Sequence, residues 1–152
     1  MSRDELAARQ AELVAALVAG GPMPAGFDEA GVRAAATALL RKRAGEVAAA
    51  WPALRAYLDD RWTEVFDAWA AGRPPRGSLR DGWDLARQVL PPAPGGLRHA
   101  EALIERAQRE ARLVYDGANP PRARRLPAVR RTPSATVVQL AGRTFTRRRG
   151  SG

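Results

Sequence analysis

The sequence predicts a mainly α fold, a compact bundle of about five helices followed by a short C-terminal β-hairpin or strand. Through residues 1–117, apolar residues recur at helical spacing, and turns rich in glycine and proline separate the periodic segments. Residues 118–152 instead alternate β-branched residues with arginines. We therefore expect a helical domain over 1–117 and a basic C-terminal segment with short β-strands over 118–152.

The first two helices are marked by apolar periodicity and by the residues at their ends. Leucines and a valine at helical spacing predict a helix over 6–17, which Gly-Gly-Pro at 20–22 ends. A second helix begins near Asp28, and "RKR" at 41–43 is expected on its solvated side. Trp51-Pro52 interrupts it, because the residue before a proline is steered out of the helical region.

Apolar periodicity and residues that begin or end helices predict three further helices. A third helix covers about Asp59–Ala71, with a single aromatic stripe that we expect in the core. Ser78 is a good N-cap for a fourth helix that reaches Leu90, and "PPAPGG" at 91–96 stops it. The last helix runs over about Leu97–Tyr115. The aromatic stripe of the third helix consists of Trp62, Val65, Phe66 and Trp69.

The C-terminal segment predicts extended chain rather than helix. "NPPRARRLP" at 119–127 cannot be helical, because its prolines remove donors and clash with the preceding turn. "ATVVQL" and "RTFTRR" flank Ala141-Gly142, which predicts a small hairpin. A lone hairpin is only marginally stable in water. It must therefore pack on the helical body or pair with another chain.

Composition argues against an enzyme and against a metal or cofactor site. The chain has no cysteine and one histidine, His99, which we expect on the surface. Asp81 and Asp84 lie one helical turn apart, but acids at the start of a helix usually interact with its dipole. No glycine-rich phosphate loop follows a strand, and no nucleophile elbow is present.

The N-terminus and the lack of a long apolar run bear on localisation. "MSRDELAARQ" is too polar for a signal peptide, and no apolar stretch approaches the ~18 residues of a membrane span. We expect a cytoplasmic protein with no membrane contact.

Positive charge is concentrated in the C-terminal segment. Residues 1–117 contain 16 Lys and Arg and 16 Asp and Glu, so nine later arginines supply the whole net charge of +9. Such asymmetry is typical of proteins with a polyanionic partner, and phosphate contacts would weaken steeply with salt. The arginines that would contact nucleic acid are Arg122, Arg124, Arg125, Arg147, Arg148 and Arg149.

Two other interpretations fit the same segment. Apolar residues such as Val137 and Phe145 are not what a disordered basic arm needs. A strand here leaves an edge to which a peptide can add as a further strand. Alternatively, the segment completes the protein's own sheet. Reasoning from the residues alone leaves these interpretations open.

The order of landmarks along the chain carries a resemblance. It is similar, over about residues 5–131, to the family long labelled a DNA-binding domain, which includes the MbnC-like proteins of methanobactin biosynthesis. The matching motifs are "LLRKRAGEV" (39–47), Trp51-Pro52, "YLDD" (57–60), Phe66 with Trp69, "RPP" (73–75), Gly82-Trp83 and "LPAVRR" (126–131).

The resemblance implies a non-catalytic partner subunit. Members pair with multinuclear non-heme iron-dependent oxidative enzymes, as a heterodimer, and help to present ribosomally made precursor peptides. Peptide capture in relatives involves the C-terminal β part, so a strand over 136–140 would pair with the leader peptide. Flanking arginines would attract acidic leader residues, adding mainly association rate and selectivity. The residues implied are Thr136, Val137, Val138, Gln139 and Leu140, with Arg130, Arg131, Arg143 and Arg147.

Overall fold

The computed structural model describes residues 1–93 and 95–150, which form helices and two antiparallel sheets. The helices are α1 Arg3–Ala19, α2 Glu29–Ala50, α3 Pro52–Leu58, α4 Trp62–Ala70, α5 Ser78–Val89 and α6 Leu97–Arg112, with a 3-10 turn at Asp59–Arg61. The strands are β1 Leu113–Val114, β2 Arg122–Ala123, β3 Ala128–Arg131, β4 Ala135–Leu140 and β5 Arg143–Arg148. Pro94 of the predicted turn and residues 151–152 of the predicted tail lie outside the described residues.

The prediction of a mainly α fold is wrong, because the strands form two sheets and the fold is α+β. The hairpin predicted at Ala141-Gly142 is present, but β3 adds a third strand to it. A second, two-stranded sheet pairs β1 with β2, where a continuous helix to Tyr115 was expected. Strands of two to four residues are too short to show a period, so the sequence pattern misses them.

A short helix, α3, was also not predicted from the sequence. Trp51-Pro52 does end α2, as expected, but Pro52 then occupies the first position of α3. A proline is well suited to that position because its missing N–H would have no partner in the first turn. The expected third helix, Asp59–Ala71, is present as the 3-10 turn at Asp59–Arg61 followed by α4, and the positive φ of 50° at Asp59 separates it from α3.

Trp51 lies at the centre of the helical core, and Gly82 of α5 makes room for it. A Cβ on Gly82 would lie 2.1 Å from Trp51 Cδ1, so only glycine fits. The Trp51 Nε1–H donates to the Leu79 carbonyl at 3.2 Å, and Trp83 meets the indole edge-on. The aromatic residues of the α4 stripe are buried in the same core, as expected: Trp62, Phe66 and Trp69.

Arg43 forms a buried ion pair with Asp81, where a solvated helix face was predicted. Its Nε–H donates to Asp81 Oδ2 at 2.8 Å, and its Nη1–H donates to the Arg73 carbonyl at 2.7 Å. The other Asp81 oxygen accepts the Arg76 N–H, so both carboxylate oxygens have donors. The pair therefore fixes the "RPP" turn against α2 and α5. Gly77, rather than Ser78, is the N-cap of α5.

Helix α6 lies between the helical core and the sheet of β3, β4 and β5. On the core side, Glu105 accepts the Leu54 N–H at 2.9 Å and so caps α3; burial raises the pKa of this carboxyl. His99, expected on the surface, is buried, with Nε2 3.0 Å from the Pro91 carbonyl oxygen and its ring beside Tyr57. Within the part of the chain that the structure describes, no helix is both long enough and apolar enough to span a membrane.

Candidate functional site

The sheet of β3, β4 and β5, called the C-terminal sheet below, holds most of the residues that the sequence singled out. Its strands lie in the order β3–β4–β5 and are all antiparallel. A two-residue turn at Ala141-Gly142 joins β4 to β5, with φ of 49° and 77°. Positive φ at both central residues suits the twist of a hairpin. The register of β5 against β4 follows from this turn.

The inner face of the C-terminal sheet packs on α6. Ala135, Val137 and Gln139 of β4 point inward and are buried, in the alternation expected of a strand. Val137 forms a small apolar cluster with Ala107 and Ala111 of α6. Alanines on this flank of the helix allow the sheet to approach closely. The sheet is therefore part of the fold and not a free arm.

Polar side chains hold the outermost strand, β5, to the same helix. Gln108 Nε2 donates to Thr146 Oγ1 at 3.0 Å. The Arg148 guanidinium binds the Glu101 carboxylate with two hydrogen bonds, one of 2.9 Å from Nη2 to Oε2. The bond and charge from Arg148 lower the pKa of Glu101. These contacts use inward side chains of β5, and no hydrogen bond within the described residues occupies its outer backbone edge.

The outer face of the C-terminal sheet is exposed and has an apolar centre between arginines. Phe145 is 57% exposed and Val129 is 51% exposed, although both are large apolar residues. The registers of β3 with β4 and of β4 with β5 align the outward side chains in rows across the sheet. The rows are Arg131–Thr136–Arg147, Val129–Val138–Phe145 and, on two strands, Leu140–Arg143.

The segment 136–140 lies in the central strand and cannot itself receive a peptide strand. Every residue from Thr136 to Gln139 pairs with both β3 and β5, and Leu140 pairs with Arg143. A peptide could reach this backbone only by displacing a neighbouring strand. The prediction that Thr136, Val137, Val138, Gln139 and Leu140 pair with a leader therefore has to move to an edge strand.

The edge of β5 presents unpaired backbone groups. In a two-residue hairpin the flanking residues, here Leu140 and Arg143, exchange hydrogen bonds, and the direction of the backbone groups then alternates along the strand. Arg143, Phe145 and Arg147 therefore bond toward β4. The N–H and C=O groups of Thr144, Thr146 and Arg148 point away from the sheet. Thr144 and Thr146 were not singled out in the sequence, and Arg148 was named only as a nucleic-acid contact; the Ala-Gly turn contained the signal that sets the direction of their backbone groups.

The opposite edge, at β3, is less accessible. Arg130 Nη1 donates to the Val129 carbonyl at 2.9 Å, so the side chain occupies one outward acceptor of this strand. The Arg130 Nε also lies 3.9 Å from Glu110 of α6. The strand β5 is therefore the better edge for an added strand.

The six arginines that would contact nucleic acid do not share one environment. Arg148 is bound to Glu101, and Arg124 is half-buried and donates to the Glu110 carbonyl at 3.3 Å. The other four are exposed, and none of them forms an ion pair with a carboxylate in 1–93 or 95–150. These four are Arg122, Arg125, Arg147 and Arg149.

The acid pair noted in the sequence is occupied by internal contacts. Asp81 is bonded to Arg43, and Asp84 accepts the Tyr115 hydroxyl at 2.8 Å. In the described ranges, no three His, Asp or Glu side chains lie close enough together to hold a metal ion. A groove of about 210 Å³ lies between α1, α2 and the start of α5, but its charged lining includes the same Arg43–Asp81 pair.

Comparison with known proteins places the helical part in a family. Residues 7–91, more than half of the chain, match the family described as SCO6045-like, C-terminal domain. The chain belongs to this family. The match to the SCO6045-like domain runs from α1 to just past α5, so α6 and the C-terminal sheet follow it.

A longer relative contains a segment similar to almost the whole chain. A UPF0276 protein of Streptomyces avermitilis is 36% identical over 148 residues, which is 97% of this chain and 28% of the relative. The chain thus spans little more than a quarter of the length of the curated relative that it matches. The similarity extends beyond the SCO6045-like domain into the C-terminal sheet. No solved structure matches the chain.

Proposed function

We propose that this chain is a non-catalytic partner subunit of a multinuclear non-heme iron-dependent oxidative enzyme in the cytoplasm. It binds the ribosomally made precursor peptide and presents it to that enzyme, forming a heterodimer with it. The observation that carries the proposal is the open edge of β5, whose Thr144, Thr146 and Arg148 backbone groups have no partner among the described residues. The resemblance to the MbnC-like family supplies the class of enzyme.

The precursor's leader adds to β5 as a fourth, antiparallel strand of the C-terminal sheet. Backbone hydrogen bonds from the leader satisfy the outward groups of β5, which is the usual mode of strand addition. Arg143 and Arg147 lie beside that edge and attract acidic leader residues, which raises the association rate and selectivity. The chain thereby orients the peptide, and the iron enzyme supplies the oxidative step.

The longer relative supports a role beside another domain. In the Streptomyces avermitilis protein, a segment similar to this chain accounts for 28% of a longer polypeptide. A domain of this kind therefore occurs joined to further protein. By analogy, we expect this domain to act in stable contact with the enzyme that it serves.

Co-expression with a candidate multinuclear iron-dependent oxidase tests the proposal directly. The chain would be tagged at its N-terminus and purified with nuclease at moderate salt. We expect a one-to-one complex that contains iron. Recovery of this chain without the oxidase, in repeated preparations where both are soluble, would contradict the proposal.

Nucleic-acid binding is the alternative that a specific observation favours, namely the exposed side chains of Arg122, Arg125, Arg147 and Arg149. Binding to phosphates would weaken by orders of magnitude between low and moderate salt. It would also tolerate the loss of an outward backbone donor of β5. Strand addition would survive salt better and depend on that edge, so titration of a labelled oligonucleotide against salt separates the two functions.

A further inference from the structure

The outward side chains of β5 form a symmetric pattern. Arg143, Phe145 and Arg147 lie at every second position on one face of the strand, with the aromatic ring between the two guanidinium groups. All three are exposed, and the arginines make no ion pair with a described carboxylate. An apolar side chain flanked by two cations at this spacing is complementary to an apolar side chain flanked by two anions.

We propose that β5 recognises a precursor segment in which an acidic, an apolar and a second acidic residue occupy positions i, i+2 and i+4. The inference rests on the proposed function, since it assumes that a peptide adds to the β5 edge. It goes further by naming the chemistry of the peptide. Arg143 and Arg147 each pair with one acid, and Phe145 covers the apolar residue.

The geometry of an antiparallel ladder makes these side-chain contacts close. Because Arg143, Phe145 and Arg147 bond toward β4, they are non-hydrogen-bonded positions with respect to a strand added outside. Opposed side chains are nearest at such positions, with Cα atoms about 4.5 Å apart. Cross-strand pairs of opposite charge and pairs with an aromatic ring both stabilise sheets.

The symmetry of the pattern has a consequence for peptide direction. The pattern acidic–x–apolar–x–acidic reads the same in both chain directions. The same three residue types are therefore available to β5 whichever way the peptide runs. The intervening positions of the peptide lie on the inner face, opposite Thr144 and Thr146 of β5.

Two probe peptides of equal composition test the pattern. The first is fluorescein-labelled Ser-Glu-Thr-Val-Thr-Glu-Ser, which places both acids on the same face as the valine. The second is Ser-Thr-Glu-Val-Glu-Thr-Ser, which places them on the opposite face. By anisotropy with the full chain, we expect the first to bind about tenfold more tightly, as expected for two cross-strand charge pairs. Equal affinities, or no binding by either peptide, would overturn the inference.

Charge reversal supplies the second test and its control. In the double variant Arg143→Glu/Arg147→Glu, the preference should switch to a version of the first peptide that carries lysines in place of the acids. The matched variant Arg122→Glu/Arg125→Glu changes the same net charge outside the C-terminal sheet and should keep the original preference. If both variants lose binding equally, net charge rather than position controls affinity and the inference fails.

Failure of this inference can be told apart from failure of the proposed function. N-methylation of the first peptide's backbone removes its strand donors and should abolish binding. If both peptides bind equally and N-methylation still abolishes binding, strand addition holds and only the pattern is wrong. If N-methylation has no effect, strand addition itself is wrong, and the pattern that rests on it falls as well.

Discussion

At the scale of single residues, a close contact between a glycine and a tryptophan determines how α5 meets the end of α2. Trp51 lies against the backbone of Gly82, and its Nε1–H reaches the Leu79 carbonyl on the same helix. The motifs Trp-Pro at 51–52 and Gly-Trp at 82–83 are thus the two sides of one contact. The presence of both motifs is explained by packing in the helical core.

The variant Gly82→Ala should be strongly destabilised. Its new methyl group would overlap the Trp51 ring, which is fully buried and has no room to move, and overpacking of this kind costs about 1–3 kcal/mol or more. Gly45→Ala is the matched control, since a Cβ there meets nothing within 4 Å and α2 should gain about 0.5–1 kcal/mol. Urea unfolding of both variants measures the difference, and similar stabilities would contradict this account of the contact.

The buried pair of Arg43 and Asp81 should also be sensitive to loss of one partner. Arg43→Met leaves the Asp81 carboxylate buried without its cation, which typically costs about 3–5 kcal/mol. Lys42→Met removes an exposed charge from the neighbouring position and should change stability by less than about 0.5 kcal/mol. Denaturant unfolding distinguishes them, and a cost for Arg43→Met no larger than the control's would show that the pair is unimportant.

At the scale of elements, the contact between β5 and α6 should respond to acid. Arg148 lowers the pKa of Glu101 below its ordinary 4.5 by a hydrogen bond and by its charge. A carboxyl with a lower pKa in the folded state stabilises the fold above its unfolded pKa, and this contribution is lost as the pH falls through the folded value. The stabilisation that the Glu101–Arg148 contact gives to the packing of β5 on α6 should therefore be lost only at acidic pH.

An NMR titration of the Glu101 carboxyl in the wild type and two variants measures this effect. Arg148→Ala should raise the pKa of Glu101 toward 4.5, because both the bond and the charge are removed. Arg147→Ala removes the adjacent arginine, which points to the other face of β5, and should leave the titration unchanged. Equal shifts in the two variants would mean that Arg148 acts through overall charge instead of through direct contact.

Elements with clear ends could be predicted from the sequence, and elements that depend on distant partners could not. Gly20, with a φ of 67°, and the break at Trp51-Pro52 mark helix ends by local chemistry. The strand β3 has the sequence "AVRR", whose register with β4 is fixed only when both pack on α6. The burial of Arg43 depends on Asp81, which is 38 residues away. Neither the register of β3 nor the burial of Arg43 can be derived from the local sequence pattern.

The candidate site was predicted in part. Arg143 and Arg147 were named as flanking cations, and both lie on the exposed face of β5. The peptide-pairing strand was placed at 136–140, in β4 instead of the neighbouring β5, because nothing local shows that β3 covers the other edge of β4. The sheet order shows that β3 and β5 are the two edges, and the Arg130 contacts on β3 leave β5 as the more open one.

At the scale of the whole molecule, the C-terminal sheet should be needed for full stability. Removing residues 118–152 uncovers Ala107 and Ala111 on α6 and discards Val137, which is completely buried. Loss of that side chain's burial alone corresponds to about 1.5–3 kcal/mol. Calorimetry of the shortened chain should show a clearly lower Tm. An unchanged Tm would mean that the sheet contributes nothing to the fold.

The central claim, that a peptide adds to the β5 edge, can be tested at Thr146. Its N–H points away from the sheet, so Thr146→Pro removes an outward donor without breaking a bond to β4, and proline is tolerated on edge strands. Thr146→Val also loses the hydroxyl contact with Gln108 but keeps the N–H, which makes it the control. Circular dichroism would first establish that both variants are folded.

The measurement is the affinity of the labelled Ser-Glu-Thr-Val-Thr-Glu-Ser peptide for the wild type, Thr146→Val and Thr146→Pro at moderate salt. Our account predicts nearly equal binding by the wild type and the valine variant, and loss of at least about tenfold in the proline variant, as expected when a ladder hydrogen bond is lost and the ring obstructs the edge. Undiminished binding by the folded Thr146→Pro variant would show that the peptide does not pair with β5.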